Sequence, residues 1–195
     1  LSIFIFIIGT IMCVFNKDEI KKRNVVSSTH QKEFSKQLFL GHLCLTLGLW
    51  FIYGVISVVI YKELMFTFNG LLMIVNSLIF SFTVTSLAYM ISKFIKKQNV
   101  ISGIQNVVSL GLSFISGCFI SAELIDEKIL NFSKIFPSYW FIQGNHDIAR
   151  MSEFGISNMY GVFVKYGIIL GFGLLYFIIA QFGHNFKRNL KTKKI

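Results

Sequence analysis

Five long apolar stretches, separated by polar loops, constrain this chain more than any other feature of its sequence. They cover, approximately, residues 1–15, 38–61, 70–92, 100–122 and 161–183. A helix needs roughly 20 apolar residues to cross the ~30 Å hydrocarbon core of a bilayer, and the last four stretches reach that length. The sequence therefore predicts an all-α, polytopic bundle of membrane helices that forms a single transmembrane domain over residues 1–195.

The first stretch is the exception, because it is too short for a complete span. Leu1–Phe15 contains no Lys or Arg, so it lacks the basic region that opens a signal peptide. We expect this segment to be the end of a span that begins before Leu1.

The composition excludes most soluble classes of protein. The chain is 54% hydrophobic with a mean hydropathy of +0.65, well above the level of an ordinary globular domain. Its net charge of +10 could suggest nucleic acid, but Lys and Arg flank the apolar stretches on one side. Membrane lipids with anionic headgroups, or a protein partner, are therefore the expected contacts, and nucleic acid is not.

The loops differ in positive charge, and this difference predicts the orientation. Three regions are basic, namely residues 16–37, residues 93–99 and the tail after 183. They alternate along the chain with two loops that are not basic. Basic loops lie on the cytoplasmic side of a membrane. The pattern predicts a multi-pass protein of the cell membrane, with a cytoplasmic C-terminus, a cytoplasmic segment 16–37 and an external segment 121–160.

Two interpretations of the cytoplasmic segment 16–37 remain open. Its scattered apolar residues would allow one or two short helices on the membrane surface, with the Ser27–Ser28–Thr29 run separating them. A solvated basic loop that only sets the topology fits the same residues.

The external segment begins with an amphipathic pattern. Ile125, Ile129, Phe132 and Phe136 recur at helical spacing, which predicts a helix at the outer interface that stops near Pro137. The aromatic residues that follow are typical of a membrane–water boundary.

The fourth stretch carries a polar stripe at helical spacing. Its members are Ser102, Gln105, Asn106, Ser109, Ser113 and Ser116. Two roles fit such a stripe inside a membrane: close packing between helices, or the lining of a translocation path or of an adjacent subunit interface. In the last stretch, Gly167 and Gly171 form a G-x-x-x-G pattern that predicts close helix packing.

The sequence contains no recognisable catalytic or cofactor motif. It has no phosphate-binding P-loop and no H-E-x-x-H pattern. We expect no catalytic residue, no metal and no cofactor, and we expect His146 and Asp147 to lie in an ordinary polar loop. Lys165 is the only charged residue well inside a predicted span, whereas ion-driven carriers usually place charge at the midplane. The energy for any transport should therefore come from another protein.

Two segments resemble the membrane subunits of type-2 ABC transporters. The first is DEIKKRNVVSSTHQKEFSKQLFLGHL from residue 18, and the second is SGCFISAELIDEKILNFSKIFPSYWFIQG from residue 116. The resemblance extends over most of the chain from about residue 10.

The resemblance implies a fold and a function. The fold is a six-span permease, and the function is export driven by a separate ABC ATPase subunit that binds ATP. The permease would pair with a second permease as a homodimer or heterodimer. In the family, a segment like 16–37 docks on the ATPase; here its residues are Glu19, Lys21, Lys22, Arg23, Ser27 and Ser28. An external re-entrant segment would include Gly117, Pro137, Tyr139 and Trp140.

One alternative function remains compatible with the same helices. The chain could be a non-transport accessory or sensor subunit of a secretion or immunity complex. In either case the sequence does not identify a cargo.

Overall fold

The computed structural model describes residues 1–17, 19–20, 23, 31–93, 95, 97–119, 126–152 and 155–192. Within these ranges the chain is helical, with no β-strand. The α-helices, in chain order, are α1 (Ser2–Phe15), α2 (Gln31–Tyr61), α3 (Phe68–Ser92), α4 (Gln98–Ile115), α5 (Glu127–Ser133), α6 (Pro137–Arg150) and α7 (Ile156–Thr192). The predicted all-α class is confirmed.

Three helices in the described part of the chain have the length and hydropathy of membrane spans. They cover Glu33–Phe66, Phe68–Ser92 and Met159–Gln181, with mean hydropathies of 2.3, 1.9 and 2.1 over their most apolar windows. They contain the second and third apolar stretches of the sequence and all but the last two residues of the fifth. Helix α1 is apolar but shorter. The molecule is a helical membrane bundle.

The fourth apolar stretch forms a shorter helix than its predicted span of 100–122. Helix α4 has 18 residues and ends at Ile115. Gly117 follows with a φ of 85°, a left-handed conformation that glycine adopts readily and that stops a helix. The stretch also includes polar residues, and α4 is not among the three helices with the hydropathy of a span.

Helix α3 lies at the centre of the bundle, and α1, α2, α6 and α7 pack around it. Its second half is buried on every face, with Thr83 to Tyr89 all enclosed. The main core cluster joins Tyr89 of α3 to Ile5 and Ile8 of α1, Phe39 of α2 and Ala180 of α7. Because α3 contacts these four helices, it fixes their positions relative to one another.

A close approach between two helices brings Gly173 of α7 against α3. A Cβ atom at Gly173 would lie 2.9 Å from both the Phe82 ring and the Thr83 hydroxyl. At the same contact, the Thr83 hydroxyl donates a hydrogen bond of 2.9 Å to the Ile169 carbonyl. By contrast, a Cβ at Gly167 or Gly171 would meet nothing within 4 Å. The predicted G-x-x-x-G packing is therefore wrong within this chain, and the glycine of α7 that packs closely against α3 is Gly173.

A tight turn joins α2 to α3. The 3-10 helix Lys62–Phe66 begins with Lys62 at a φ of 45°. A Cβ at Gly70 would lie 2.5 Å from the carbonyl oxygens of Leu64 and Met65, so only glycine fits there. The Thr67 hydroxyl caps α3 by accepting a hydrogen bond from the Gly70 amide.

Segment 121–160, which the loop charges predict to be external, contains a helix that the sequence does not predict. Helix α5 ends at Ser133, short of Pro137, and Pro137 then opens α6 as its first residue, a favoured position for proline. Helix α6 runs to Arg150. His146 and Asp147 therefore lie on a helix, and the expectation of an ordinary loop is wrong.

Candidate functional site

The predicted coupling residues fall mostly outside the part of the chain that the structure describes. Glu19 and Arg23 are described, and both are exposed in helical conformation. Lys21, Lys22, Ser27 and Ser28 lie outside the described residues. The two ends of segment 16–37 are described, and both connect to the helix bundle at the same place.

The first connection is made by Asn16, the residue that caps the C-terminus of α1. Its side chain is buried, and its amide nitrogen donates hydrogen bonds of 2.9 Å to the Ser92 carbonyl and 3.1 Å to the Ile95 carbonyl. The last carbonyls of a helix have no partner within that helix. Asn16 satisfies two carbonyls at the end of α3 and in the loop after it, and so joins α1 to α3.

The second connection is made by Ser35, near the start of α2. The Tyr89 hydroxyl donates to the Ser35 carbonyl at 2.9 Å, and the Ser35 and Tyr89 hydroxyls are 2.8 Å apart. The Lys93 ammonium donates to the Ser35 hydroxyl at 3.0 Å and to the Ala180 carbonyl of α7 at 2.7 Å. Residues of α2, α3 and α7 thus meet through one ammonium group.

We call the seven residues of these two connections the junction: Asn16, Ser35, Tyr89, Ser92, Lys93, Ile95 and Ala180. Within it, Lys93 lies just beyond the last residue of α3 and is half-buried. Burial lowers the pKa of the Lys93 ammonium to about 8, because a charge loses its hydration there. The ammonium also lies 4.6 Å from the centre of the Tyr89 ring, a cation–π contact that favours the charged form.

The sequence reasoning missed the junction. The charge pattern of the loops accounts for Lys93 only as a topology signal, and it accounts for Asn16 only as the first residue of segment 16–37. A usable signal was present, because Asn16 and Lys93 each directly follow an apolar stretch. A polar side chain at that position can reach the free carbonyls of a helix end.

The polar stripe of α4 is divided by the structure. Gln105 donates a hydrogen bond to the Ser2 hydroxyl of α1. Ser109 is buried, and its hydroxyl has no hydrogen-bond partner. Ser102 and Asn106 are exposed, and Ser113 is half-buried.

The last member of the stripe serves its own helix. The buried Ser116 hydroxyl donates to the Leu112 carbonyl one turn earlier. One side of the stripe therefore packs on α1, while its other side faces outward beside Val107, which is 74% exposed. The structure does not bring the six residues together into one site.

Three of the predicted external residues lie together at the start of α6. Pro137 and Tyr139 are buried, and the Trp140 indole donates a hydrogen bond of 2.9 Å to the Lys134 carbonyl just after α5. Burial raises the pKa of the Tyr139 hydroxyl, and the negative charge of Asp147 raises it further. Gly117 instead ends α4.

Helix α6 is attached to α3 by buried amides. The Asn76 side chain is fully buried in α3, and its amide nitrogen donates 3.0 Å to the Phe141 carbonyl and 2.8 Å to the Asn145 side-chain oxygen. Gly144 gives it room, since a Cβ there would lie 3.1 Å from the same nitrogen. Asn69 donates to the Met151 carbonyl at 3.0 Å. These bonds position α6 against the span.

An ion pair attaches α6 to α7. The Lys165 ammonium pairs with the Asp147 carboxylate, and the two side chains are 18% and 43% exposed. Lys165, the only charged residue well inside a predicted span, therefore has a partner on α6.

Removing only the acid of this pair should destabilise the protein more than removing both charges. In an Asp147→Ala variant, Lys165 would keep its charge in a half-buried position without a partner. The Asp147→Leu/Lys165→Met double variant buries no lone charge. We expect the single variant to unfold at a lower temperature in detergent than the double variant. Equal melting temperatures would show that the pair does not hold α6 on α7.

The described residues contain no group of three His, Cys, Asp or Glu side chains placed to hold a metal ion. The arrangement instead has the properties of a mechanical connection: a basic segment whose two ends are both hydrogen-bonded to the central helix.

A comparison with known protein families gives a match over most of the chain. The model of the family described as "ABC-2 family transporter protein" matches residues 1–182. No curated protein and no solved structure matches the chain.

Proposed function

The chain belongs to the ABC-2 family of transporter proteins and is a membrane permease component of an ABC transporter; from this premise we propose that it works as the permease of an ATP-driven exporter. It would form the translocation path and couple to a separate ATPase subunit. ATP would bind and be hydrolysed on that partner, since the sequence has no P-loop of its own.

The observation that carries this proposal is the junction. Both ends of segment 16–37 are hydrogen-bonded to the end of α3, through Asn16 and through Ser35. A partner that moves this segment would pull on α1, α2 and α3 together, and on α7 through Lys93. Coupling between distant sites needs such a contiguous set of packed and hydrogen-bonded elements.

The segment itself supplies the surface for the partner. Glu19 and Arg23 are exposed, and with Lys21, Lys22, Ser27 and Ser28 they would form the docking face. The protein would lie in the plasma membrane. The charge pattern of the loops supports a cytoplasmic location for this docking face and for the C-terminus.

A second permease, identical or not, would complete the path. Outward-facing residues of α4, including Ser102 and Asn106, are our candidates for the path or for the interface between the two permeases. Membrane lipid would cover the exposed apolar side of α2.

The test is affinity purification of the full-length protein from its own cells in mild detergent. We expect a protein with Walker motifs and ATP-hydrolysing activity to co-purify with the wild type. A Glu19→Lys/Arg23→Glu variant should lose that protein but still reach the membrane, because these two side chains are exposed. A Lys128→Glu variant on α5, exposed at the opposite end, is the charge-reversal control.

Two results would contradict the proposal. The first is the absence of an ATPase from the wild-type preparation, which would favour the accessory or sensor alternative. The second is an ATPase that the Glu19→Lys/Arg23→Glu variant retains in full, which would place the docking surface elsewhere.

A further inference from the structure

Two buried polar side chains, one on α2 and one on α3, have no hydrogen-bond partner in the described part of the chain. His42 is 2% exposed and Ser86 is 0% exposed, and the unpaired atoms are the His42 Nε2 and the Ser86 Oγ. The spans Glu33–Phe66 and Phe68–Ser92 contain these two residues. An unpaired polar group in such surroundings is unfavourable, because buried polar groups normally bond to protein or to ordered water.

The Ser86 hydroxyl differs from three neighbouring hydroxyls of α3. Those of Thr83, Thr85 and Ser92 each donate to the carbonyl four residues earlier, at 3.2, 2.8 and 2.5 Å. This bond is the usual way in which serine and threonine satisfy their hydroxyl within a helix. The buried Ser86 hydroxyl does not make it, so it remains free to bond a group outside its own helix.

Tyr89 brings the two unpaired groups to the same level of the bundle. The ring centres of His42 and Tyr89 are 5.8 Å apart, and Ser86 lies one turn before Tyr89 on the same face of α3. Phe39, one turn before His42 on α2, contacts Tyr89 and also Phe82, which lies one turn before Ser86. The two unpaired atoms therefore lie near each other, among aromatic rings, without a direct hydrogen bond between them.

The ligand that would complete both groups is small and neutral. An imidazole nitrogen and a hydroxyl can each donate or accept a hydrogen bond, and a water molecule does both. A cation would be repelled by the Lys93 ammonium, which lies 4.6 Å from the centre of the Tyr89 ring. An anion would have to compete with Ser35 and Ala180 for that ammonium.

We propose that α2 and α3 hold a water molecule inside the bundle, hydrogen-bonded to the His42 Nε2 and to the Ser86 hydroxyl beside Tyr89. The water pairs two groups that the chain alone leaves unpaired, and it links the two helices next to the junction. Bridging waters of this kind are a regular part of protein interiors. The site depends neither on the ATPase partner nor on the direction of transport.

The experiment is hydroxyl-radical footprinting of the full-length protein in detergent, in which X-rays generate radicals from bound water as well as from bulk water. Tyr89 is 0% exposed, so bulk solvent does not reach its ring, and oxidation there reports on a bound water. We expect the rate of Tyr89 oxidation to fall several-fold in the His42→Phe variant and in the Ser86→Ala variant. Misfolding would raise this rate, so it does not imitate the expected result.

The matched control is Thr83→Val. It removes another buried hydroxyl from α3, but one that already has the Ile169 carbonyl as its partner. We expect Tyr89 to be oxidised in this variant at the wild-type rate.

Thermal unfolding supplies a second measurement with a different sign for each outcome. If the water is bound, Ser86→Ala leaves it and His42 short of a hydrogen bond, and the melting temperature should fall by about 3 °C. The His42→Phe/Ser86→Ala double variant leaves no polar group unpaired there, so it should melt above the Ser86→Ala variant.

Two results would overturn the proposal. One is an unchanged rate of Tyr89 oxidation in a folded His42→Phe or Ser86→Ala variant, which would show that these groups hold no water. The other is a Ser86→Ala variant that melts above the wild type, as expected if the hydroxyl were simply buried without a partner.

Discussion

Replacing Gly173 with leucine should lower the melting temperature of the detergent-solubilised protein by about 10 °C. The first added carbon would already lie 2.9 Å from the Phe82 ring and the Thr83 hydroxyl, so α7 must move away from α3. Overpacking of this kind costs up to about 3 kcal/mol, and more where a helix contact is lost. In a chain of this size each kcal/mol corresponds to roughly 2–4 °C. Thermal unfolding followed by circular dichroism measures the change.

The chain offers a matched control two residues away. Gly171 lies on the same helix, is exposed, and would place a Cβ in open space. Gly171→Leu introduces the same side chain without the clash, and we expect a change within about 1 kcal/mol of the wild type. If the two variants melt at the same temperature, the α3–α7 contact at Gly173 is not important for stability.

Replacing Asn16 with leucine and Lys93 with methionine should loosen the connection between segment 16–37 and the bundle, leaving only the Tyr89–Ser35 hydrogen bonds of the junction. The new side chains are similar in size, but they remove the hydrogen bonds to the Ser92, Ile95 and Ala180 carbonyls. We expect the ATPase partner that we propose to remain bound in this variant. We also expect the effect of ATP on the opposite end of the permease to fall about tenfold, within the usual range of coupling between sites.

A native thiol reports on this coupling. Cys118 is free and exposed just beyond α4, so its rate of labelling by a water-soluble maleimide, with and without ATP, measures movement there. A Cys44→Ser background removes the other exposed thiol.

Asn69→Leu is the control for this experiment, because it removes a similar amide bond far from the junction. An ATP-dependent change in labelling that persists at full size in the Asn16→Leu/Lys93→Met variant would contradict a coupling role for the junction.

Long apolar segments made most of the fold predictable from the sequence. Helices α2, α3 and α7 are apolar over more length than any soluble helix needs, so their existence follows from composition alone. Helix α6 could not be found in this way. It contains His, Asp, Asn and Gln, and its position depends on contacts with other helices. These contacts are made by Lys165 of α7 and by Asn76 of α3, which is 65 positions from its partner Phe141.

The candidate site was predictable only in its outline. Charge placed segment 16–37 on one side of the membrane, but the junction joins residues more than 70 positions apart, such as Asn16 and Ser92. Nothing in a local pattern reveals such a pair. Glycine spacing was likewise insufficient, because a motif predicts a close approach without showing which glycine makes it, and here it is Gly173.

The tight turn between α2 and α3 has a consequence for biogenesis. Lys62–Phe66 and Gly70 leave these two helices no freedom to separate along the chain, so they should leave the translocon as one antiparallel unit while α7 is still to be synthesised. Contacts between sequence neighbours form first. The Gly173 contact and the Lys93–Ala180 bond would then close last, so that a nascent chain arrested before residue 173 should already protect the α2–α3 pair from protease.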